Sequence, residues 1–266
     1  MAKRPRHNRT TAISRKHRYF FGSRVMLTTA PNNTYNVADC AITDRAIAES
    51  AVSDDRPTTR ISHSRRCSTT TLRHITNRRH RLTDGLSLSQ VENVASAARF
   101  AGRIGLPLNR HVTIRLESAG IADVDCTRAI GRFLTLFRDW LRKQGLPTAY
   151  VWVRERGPLI GSHVHILLHL PARVSLRGGR SRRWIENATG KKYVPGTICT
   201  RRIAPAAYDQ NLAVLIGYLL KGAMPEVANA LSLGRRKRGG LISGKRAGWS
   251  QNIGSAARAR MRLTVC

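Results

Sequence analysis

Apolar and polar positions fall into regular patterns only from residue 86 onward. Before that, Ser, Thr, Asn and Arg dominate through Arg81, with little apolar periodicity. Such a segment cannot bury enough apolar surface to offset the entropy of ordering it. Residues 1–85 therefore read as a basic, largely disordered arm, either tracking phosphates or a variable extension. Leu86 opens the first patterned region. Ser89 and Glu92 have the spacing of a capping box, and Val91, Val94, Ala95 and Ala98 follow at helical spacing. The pattern predicts a helix to about Arg103, stopped by Gly105 and Pro107. Asn109 to Glu117 alternates, with Val112, Ile114 and Leu116 on one side and His111, Thr113 and Arg115 on the other, as in a half-buried strand.

From Asp125, Ile130, Phe133, Leu134, Phe137, Trp140 and Leu141 form one broad apolar helical face. Asp123 and Asp125 suit its N-terminus, Arg142 and Lys143 its C-terminus, and Gly145 and Pro147 end it. The aromatic stripe reads as core packing. Tyr150 to Arg156 reads as a strand, and Gly157-Pro158 followed by Gly161-Ser162 punctuates a hairpin whose second strand carries His163 and His165 on one face and Val164, Ile166 and Leu168 on the other, toward a core. Ala172 to Gly196 reads as a basic linker with part of a short helix. Thr197 to Ile203 reads as a further strand. Asp209 then caps a helix from Gln210 to about Gly222, with Leu212, Leu215, Ile216, Leu219 and Leu220 on its buried side. Residues 86–225 make the folded domain, and 226–266 a basic tail, ordered in part near Trp249 and lying on DNA.

Charge changes this picture. The 266 residues carry 47 Lys plus Arg against 15 acids, a formal net charge of +32. That is too basic for an ordinary enzyme acting on a small neutral substrate. It points to a polyanion, with binding that falls steeply as salt rises. Ribosomal-type and chromatin-type proteins are as basic without performing chemistry, so charge alone does not separate an enzyme from a binding protein. The five cysteines are scattered and form no C-x-x-C pair, which argues against a disulfide framework or a zinc ribbon and fits a reducing cytosol. No signal-peptide h-region follows the basic start, and the apolar run Leu212 to Leu220 is too short to span a bilayer. No membrane partner is expected.

The candidate chemistry sits in the hairpin. His163 and His165 are two apart, so on a strand they share a face about 6.5–7 Å apart along the backbone and can converge on a metal ion. On its own, a His-x-His strand is equally a polar pair on a solvated face. Folding the hairpin back brings Glu155 alongside, and between Tyr150 and Lys221 the only other acids are Glu186 and Asp209. Two imidazoles and one carboxylate make a three-ligand site with open positions. His169 lies about 13 Å beyond His165 on the same face and reads as a sheet-surface or DNA-side residue. His111 is an extra ligand, a DNA contact or neither. Tyr218 and Lys221 share a helical face. A tyrosine on an apolar helix is ordinarily a core aromatic, but beside an ammonium group and a metal site a phenol becomes a usable nucleophile. The linker and the strand after it carry Arg177, Arg180, Arg182, Arg183, Lys191, Lys192, Arg201 and Arg202, with Trp184 and Tyr193 among them. Arginines with interspersed aromatics suit single-stranded nucleic acid, though a solvated basic loop has the same composition.

Together these motifs resemble the HUH endonucleases of the rolling-circle replication initiator type, the replication-associated proteins of plasmids and filamentous phages. GSHVHILLHLP resembles the family's His-hydrophobic-His strand. Glu155 resembles the third metal ligand of the single-tyrosine initiators, and YLLK at 218–221 their Tyr-x-x-Lys helix. The likeness covers roughly residues 106–225. It implies an α+β, ferredoxin-like domain: an antiparallel sheet flanked by helices. It also implies Mn²⁺ or Mg²⁺ on His163, His165 and Glu155, with the mixed donor set favouring Mn²⁺. Tyr218 would attack a scissile phosphate of single-stranded DNA at a replication origin, leaving a 5′-phosphotyrosine link, and Lys221 would hold the phosphate or phenolate. Host replication proteins and a bacterial cytoplasmic location, at a nucleoid or plasmid, go with that reading. The nearest other tyrosine is Tyr208, so a single-tyrosine enzyme is expected, and no G-x-x-x-x-G-K-[ST] motif adds a helicase. REP-type tyrosine transposases and relaxases share the chemistry. A non-catalytic nucleic-acid-binding protein and a water-using metallohydrolase are the readings outside that group.

Overall fold

The structure is a computed structural model and describes residues 17–21, 24–28, 82–176, 179–233 and 239–264. The chain divides into two compact units, Met1–Val37 and Ala38–Cys266. In the first, β1 (His17–Phe21) pairs antiparallel with β2 (Arg24–Thr28). The rest of the arm expected to be disordered, residues 1–85, lies almost wholly outside the described residues.

The second unit is α+β. Its elements are β3 (Leu82–Thr83), α1 (Leu88–Arg103), β4 (Arg110–Arg115), α2 (Asp123–Arg142), β5 (Tyr150–Gly157), β6 (Gly161–Leu168), α3 (Arg180–Thr189), β7 (Ile198–Arg202), α4 (Tyr208–Leu219), α5 (Pro225–Ala230), β8 (Ile242–Ser243), β9 (Ala247–Trp249) and α6 (Ser255–Thr264). Five strands form one sheet in the order β7-β4-β6-β5-β9, antiparallel at every pairing.

Alternation along the strands separates two faces. Val112 and Ile114 of β4, Trp152 of β5, and Val164, Ile166 and Leu168 of β6 pack on Phe133, Phe137 and Leu141 of α2 and Trp184 of α3. The opposite face carries His111, Thr113, Glu155, His163 and His165, with α1 and α4 over it. That second helical layer is why β4 is not half-exposed as its alternation predicts: His111 and Thr113 are buried as well.

Several local expectations shift. The capping box of α1 is Ser87 with Gln90, not Ser89 with Glu92. The backbone of Leu86 is tied to Gly222 and Met224, so the helix starts directly after that anchor. Helix α4 begins at Tyr208, after Ala207 in the left-handed region at φ 54°. Asp209 lies inside the first turn rather than at the cap, where no side chain caps the helix, and the Asn211 amide donates to the carbonyls of Ala204 and Ala206.

The larger correction is the C-terminus. Residues from 239 onward are not a tail but part of the domain. β9 is the edge strand beside β5, β8 pairs with β3, and α6 packs on α1. Ile242, Ala247 and Ile253 are buried, and Arg246 is 1% exposed. The guanidinium of Arg246 donates to the carbonyls of Thr83, Gly239 and Gly240, which makes its burial tolerable. Pairing of β3 with β8 also carries the folded unit upstream of residue 86. Among the described residues no helix is long and apolar enough to cross a membrane.

Candidate metal centre

The β5–β6 hairpin sets Glu155 directly opposite His163, and Val153 opposite His165. Its turn closes at Gly161, whose φ of 59° suits glycine. A Cβ there would also collide with Glu117, whose carboxylate accepts the Ser162 backbone N–H at 2.7 Å and Arg156 at 3.2 Å. The hairpin is therefore clamped from β4's end as well as by its own ladder.

Glu155, His163 and His165 are each under 5% exposed. Their ligand atoms lie within 4.8 Å of one another. His163 Nε2 is 3.7 Å and His165 Nε2 4.0 Å from Glu155 Oε2. Both Nδ1 atoms have other partners: His163 Nδ1 meets Gly161 O at 3.0 Å, and His165 Nδ1 meets Thr113 Oγ1 at 3.1 Å and His111 Nε2 at 3.3 Å. Glu155 Oε1 and His165 Nε2 are buried without a hydrogen-bond partner. Leaving a buried polar atom unsatisfied costs about 1–3 kcal/mol, and a cation shared by these donors would satisfy both. The residues present thus fit a metal ion.

The electrostatics of the imidazoles agree. Burial holds His165 well below the usual imidazole range, helped by His163, His111 and Lys221. Burial, with Arg201 and Lys221, lowers His111 to about 4. Neutral imidazole is the metal-binding form. Burial raises the Glu155 carboxyl, opposed by Lys221 and Arg246.

Helix α4 and the short turn after it bring the other two predicted residues to the triad. The Tyr218 ring meets His165 edge-on at 5.0 Å and His111 at 6.3 Å. Lys221 Nζ sits 3.7 Å from the Tyr218 ring centroid and 2.9 Å from Glu155 Oε2. One ammonium therefore touches both the phenol ring and the carboxylate.

The expected nucleic-acid residues do not gather here. Trp184 is buried among Phe133, Phe137 and Trp140, because α3 turns it into the core on the far side of the sheet. It is no stacking platform. Arg180, Arg182 and Arg183 lie on α3, with Lys191 and Lys192 just after it, in the layer opposite the triad. Arg180 stacks on Trp140 and Arg182 on Tyr193. Arg202 pairs with Arg110, and Arg110 with the core residue Leu168, so Arg202 is on that far face too. Arg201, its neighbour, pairs with His111 and shares the triad's face. Arg177 lies outside the described residues. His169 is buried rather than on the sheet surface, its Nδ1 2.9 Å from Pro107 O.

Sequence reasoning passes over Thr113, Arg115 and Glu117, and leaves His111 open. All four come from or follow β4, and only the register shows that Thr113 faces His165 and Arg115 faces His163. Compared with protein-family models, with curated proteins and with solved structures, the chain matches none.

Proposed function

We propose that this chain is a metal-dependent, tyrosine-mediated nuclease that nicks and rejoins single-stranded DNA, an HUH-type replication initiator. The observation that carries the reading is the convergence of Tyr218 and Lys221, from one helix and the turn after it, on a buried Glu155–His163–His165 triad built by a separate hairpin. The succession strand-helix-strand-strand-helix-strand from β4 to β7, with β4 and β6 central, supports a ferredoxin-like fold.

Glu155, His163 and His165 hold a divalent ion, Mn²⁺ or Mg²⁺, which when bound supplies Lewis-acid polarisation of a phosphoryl oxygen. Tyr218 is the nucleophile. Its oxygen bonds to phosphorus as the P–O3′ bond breaks, the phenol gives up its proton, and the 3′ oxygen leaves and is protonated to a 3′-hydroxyl. The phosphotyrosine ester keeps the bond energy for rejoining. Lys221 supplies a fixed positive charge beside both the tyrosine and the phosphate it attacks. The strand runs over the triad's face, where Arg115 and Arg201 flank the site, rather than over α3. A bacterial cytoplasmic protein acting at a plasmid or phage origin, handing a 3′-hydroxyl to host replication proteins, fits this chemistry.

The test is a labelled single-stranded DNA pool with Mn²⁺, run on a denaturing gel beside Tyr218→Phe and His163→Ala. A protein–DNA adduct that needs metal and is lost in both variants is the expected result. Salt-sensitive binding equal in all three proteins, with no adduct on any sequence of the pool, would instead leave a nucleic-acid-binding protein.

A further inference from the structure

The two histidines of the triad are oriented by different means. His163 Nδ1 meets a backbone carbonyl, that of Gly161 at 3.0 Å, which fixes that ring through the turn itself. Among the described residues His165 Nδ1 meets two side chains, Thr113 Oγ1 at 3.1 Å and His111 Nε2 at 3.3 Å, both from the neighbouring strand β4. Register explains the difference. Thr113 is directly opposite His165, and His111 is two residues along on the same face. Both are buried.

We infer that His111 and Thr113 are positioning residues that hold His165 with its proton on Nδ1 and its Nε2 lone pair turned toward Glu155. The inference rests on the metal-centre reading and adds what aims one of its ligands. A neutral imidazole carries its proton on one nitrogen only. With the proton on Nδ1, the N–H has two acceptors within reach, the threonine hydroxyl and the His111 Nε2 lone pair. With the proton on Nε2, the N–H faces Glu155 Oε2 at 4.0 Å, beyond hydrogen-bond range, and is a buried donor without an acceptor. The pocket therefore selects the tautomer that leaves Nε2 free to coordinate, and the pair from β4 does the selecting. Partners of this kind behind a ligating imidazole typically change metal affinity by about 10- to 100-fold when removed. His111 also lies against the edge of Tyr218, so the group that aims the ligand also packs on the tyrosine.

The experiment uses the full chain. In metal-free wild type, long-range ¹H–¹⁵N imidazole spectra, assigned with His165→Gln, are expected to show His165 protonated at Nδ1. Protonation at Nε2 would overturn the inference without reference to any metal. Mn²⁺ affinity is then measured by titration for wild type, the double variant His111→Phe/Thr113→Val, and His111→Gln. The double variant is expected to bind about 10- to 100-fold more weakly while melting close to wild type without metal. His111→Gln, whose amide oxygen can accept the same proton, is expected to stay near wild type. Unchanged affinity in a folded double variant would overturn the positioning role. Wild type that binds no Mn²⁺ would overturn the metal centre and this inference with it.

Discussion

At the scale of single residues, the site is a set of buried polar groups that partner one another except at Glu155 Oε1 and His165 Nε2. Burial, with the nearby cations Arg201 and Lys221, keeps the His111 imidazole neutral down to about 4. In the unfolded chain an imidazole takes up its proton near 6.5. The unfolded state thus binds more protons between those values, and this contribution to stability is complete above about 6.5 and lost as pH falls toward 4. Integrated to pH 4.5 it amounts to about 2–3 kcal/mol, and His165 acts in the same direction. Metal-free wild type should therefore lose more stability than His111→Gln between pH 7 and pH 4.5, read from urea midpoints. Equal losses would mean that His111 is not buried as a neutral ring. The sequence shows the histidines and Glu155 plainly, because His-x-His and a lone acid in a basic stretch are visible without register. It hides Arg154 and Arg246. Arg154 is fully buried on β5 and donates to Ser162, Thr127 and Asp123 and to the carbonyl of Ser243. An arginine reads as surface until its acceptors are known, and these lie far away in sequence.

At the scale of elements, legibility follows how local the signal is. The hairpin is readable because its turn residues and both strands are contiguous. So is α2, whose apolar face runs for its full length. Helix α3 misleads: its arginines are indeed on the outside, but Trp184 points the other way, and a short basic helix gives no hint of which sheet face it covers. The strands β8 and β9 are invisible in the sequence, being two and three residues long within a basic stretch. They matter all the same. Arg154 N–H bonds Arg246 O, and Arg156 N–H bonds Gly239 O, so the C-terminal segment ladders onto the strand that carries Glu155. Gly222 and Gly239 approach closely beside that carboxylate, near enough that a Cβ on either would press on the other's backbone. Deleting residues 239–266 would expose the β5 edge and uncover Val151 and Val153. The truncated chain is expected to lose its cooperative melting transition. A truncated protein that melts like wild type would show that the segment is the DNA-lying tail its composition suggests.

At the scale of the whole molecule, positive charge is on both sides of the sheet, and net charge says nothing about which side a strand occupies. The sheet supplies the distinction. Arg201 and Arg202 are neighbours in sequence yet lie on opposite faces, and the triad shares a face with Arg201 alone. Arg115, opposite His163 on β4, flanks the site at its other end. A phosphate backbone crossing Tyr218 would meet these two and Lys221. The cations of α3 would meet it only if the strand wrapped around the domain. Removing one cation that neutralises a phosphate reduces the slope of log affinity against log salt by roughly 0.7 for a single strand. Arg115→Ala with Arg201→Ala should therefore flatten the salt dependence by a little over 1 and depress adduct formation with Tyr218 by more than it depresses binding. Arg182→Ala with Arg202→Ala, equal in charge removed, should leave adduct formation at saturating DNA unchanged. If the two pairs lower adduct formation alike, the strand does not follow the triad's face. The charge would then act as a general field around the domain, and the path across β4 and β7 would be wrong.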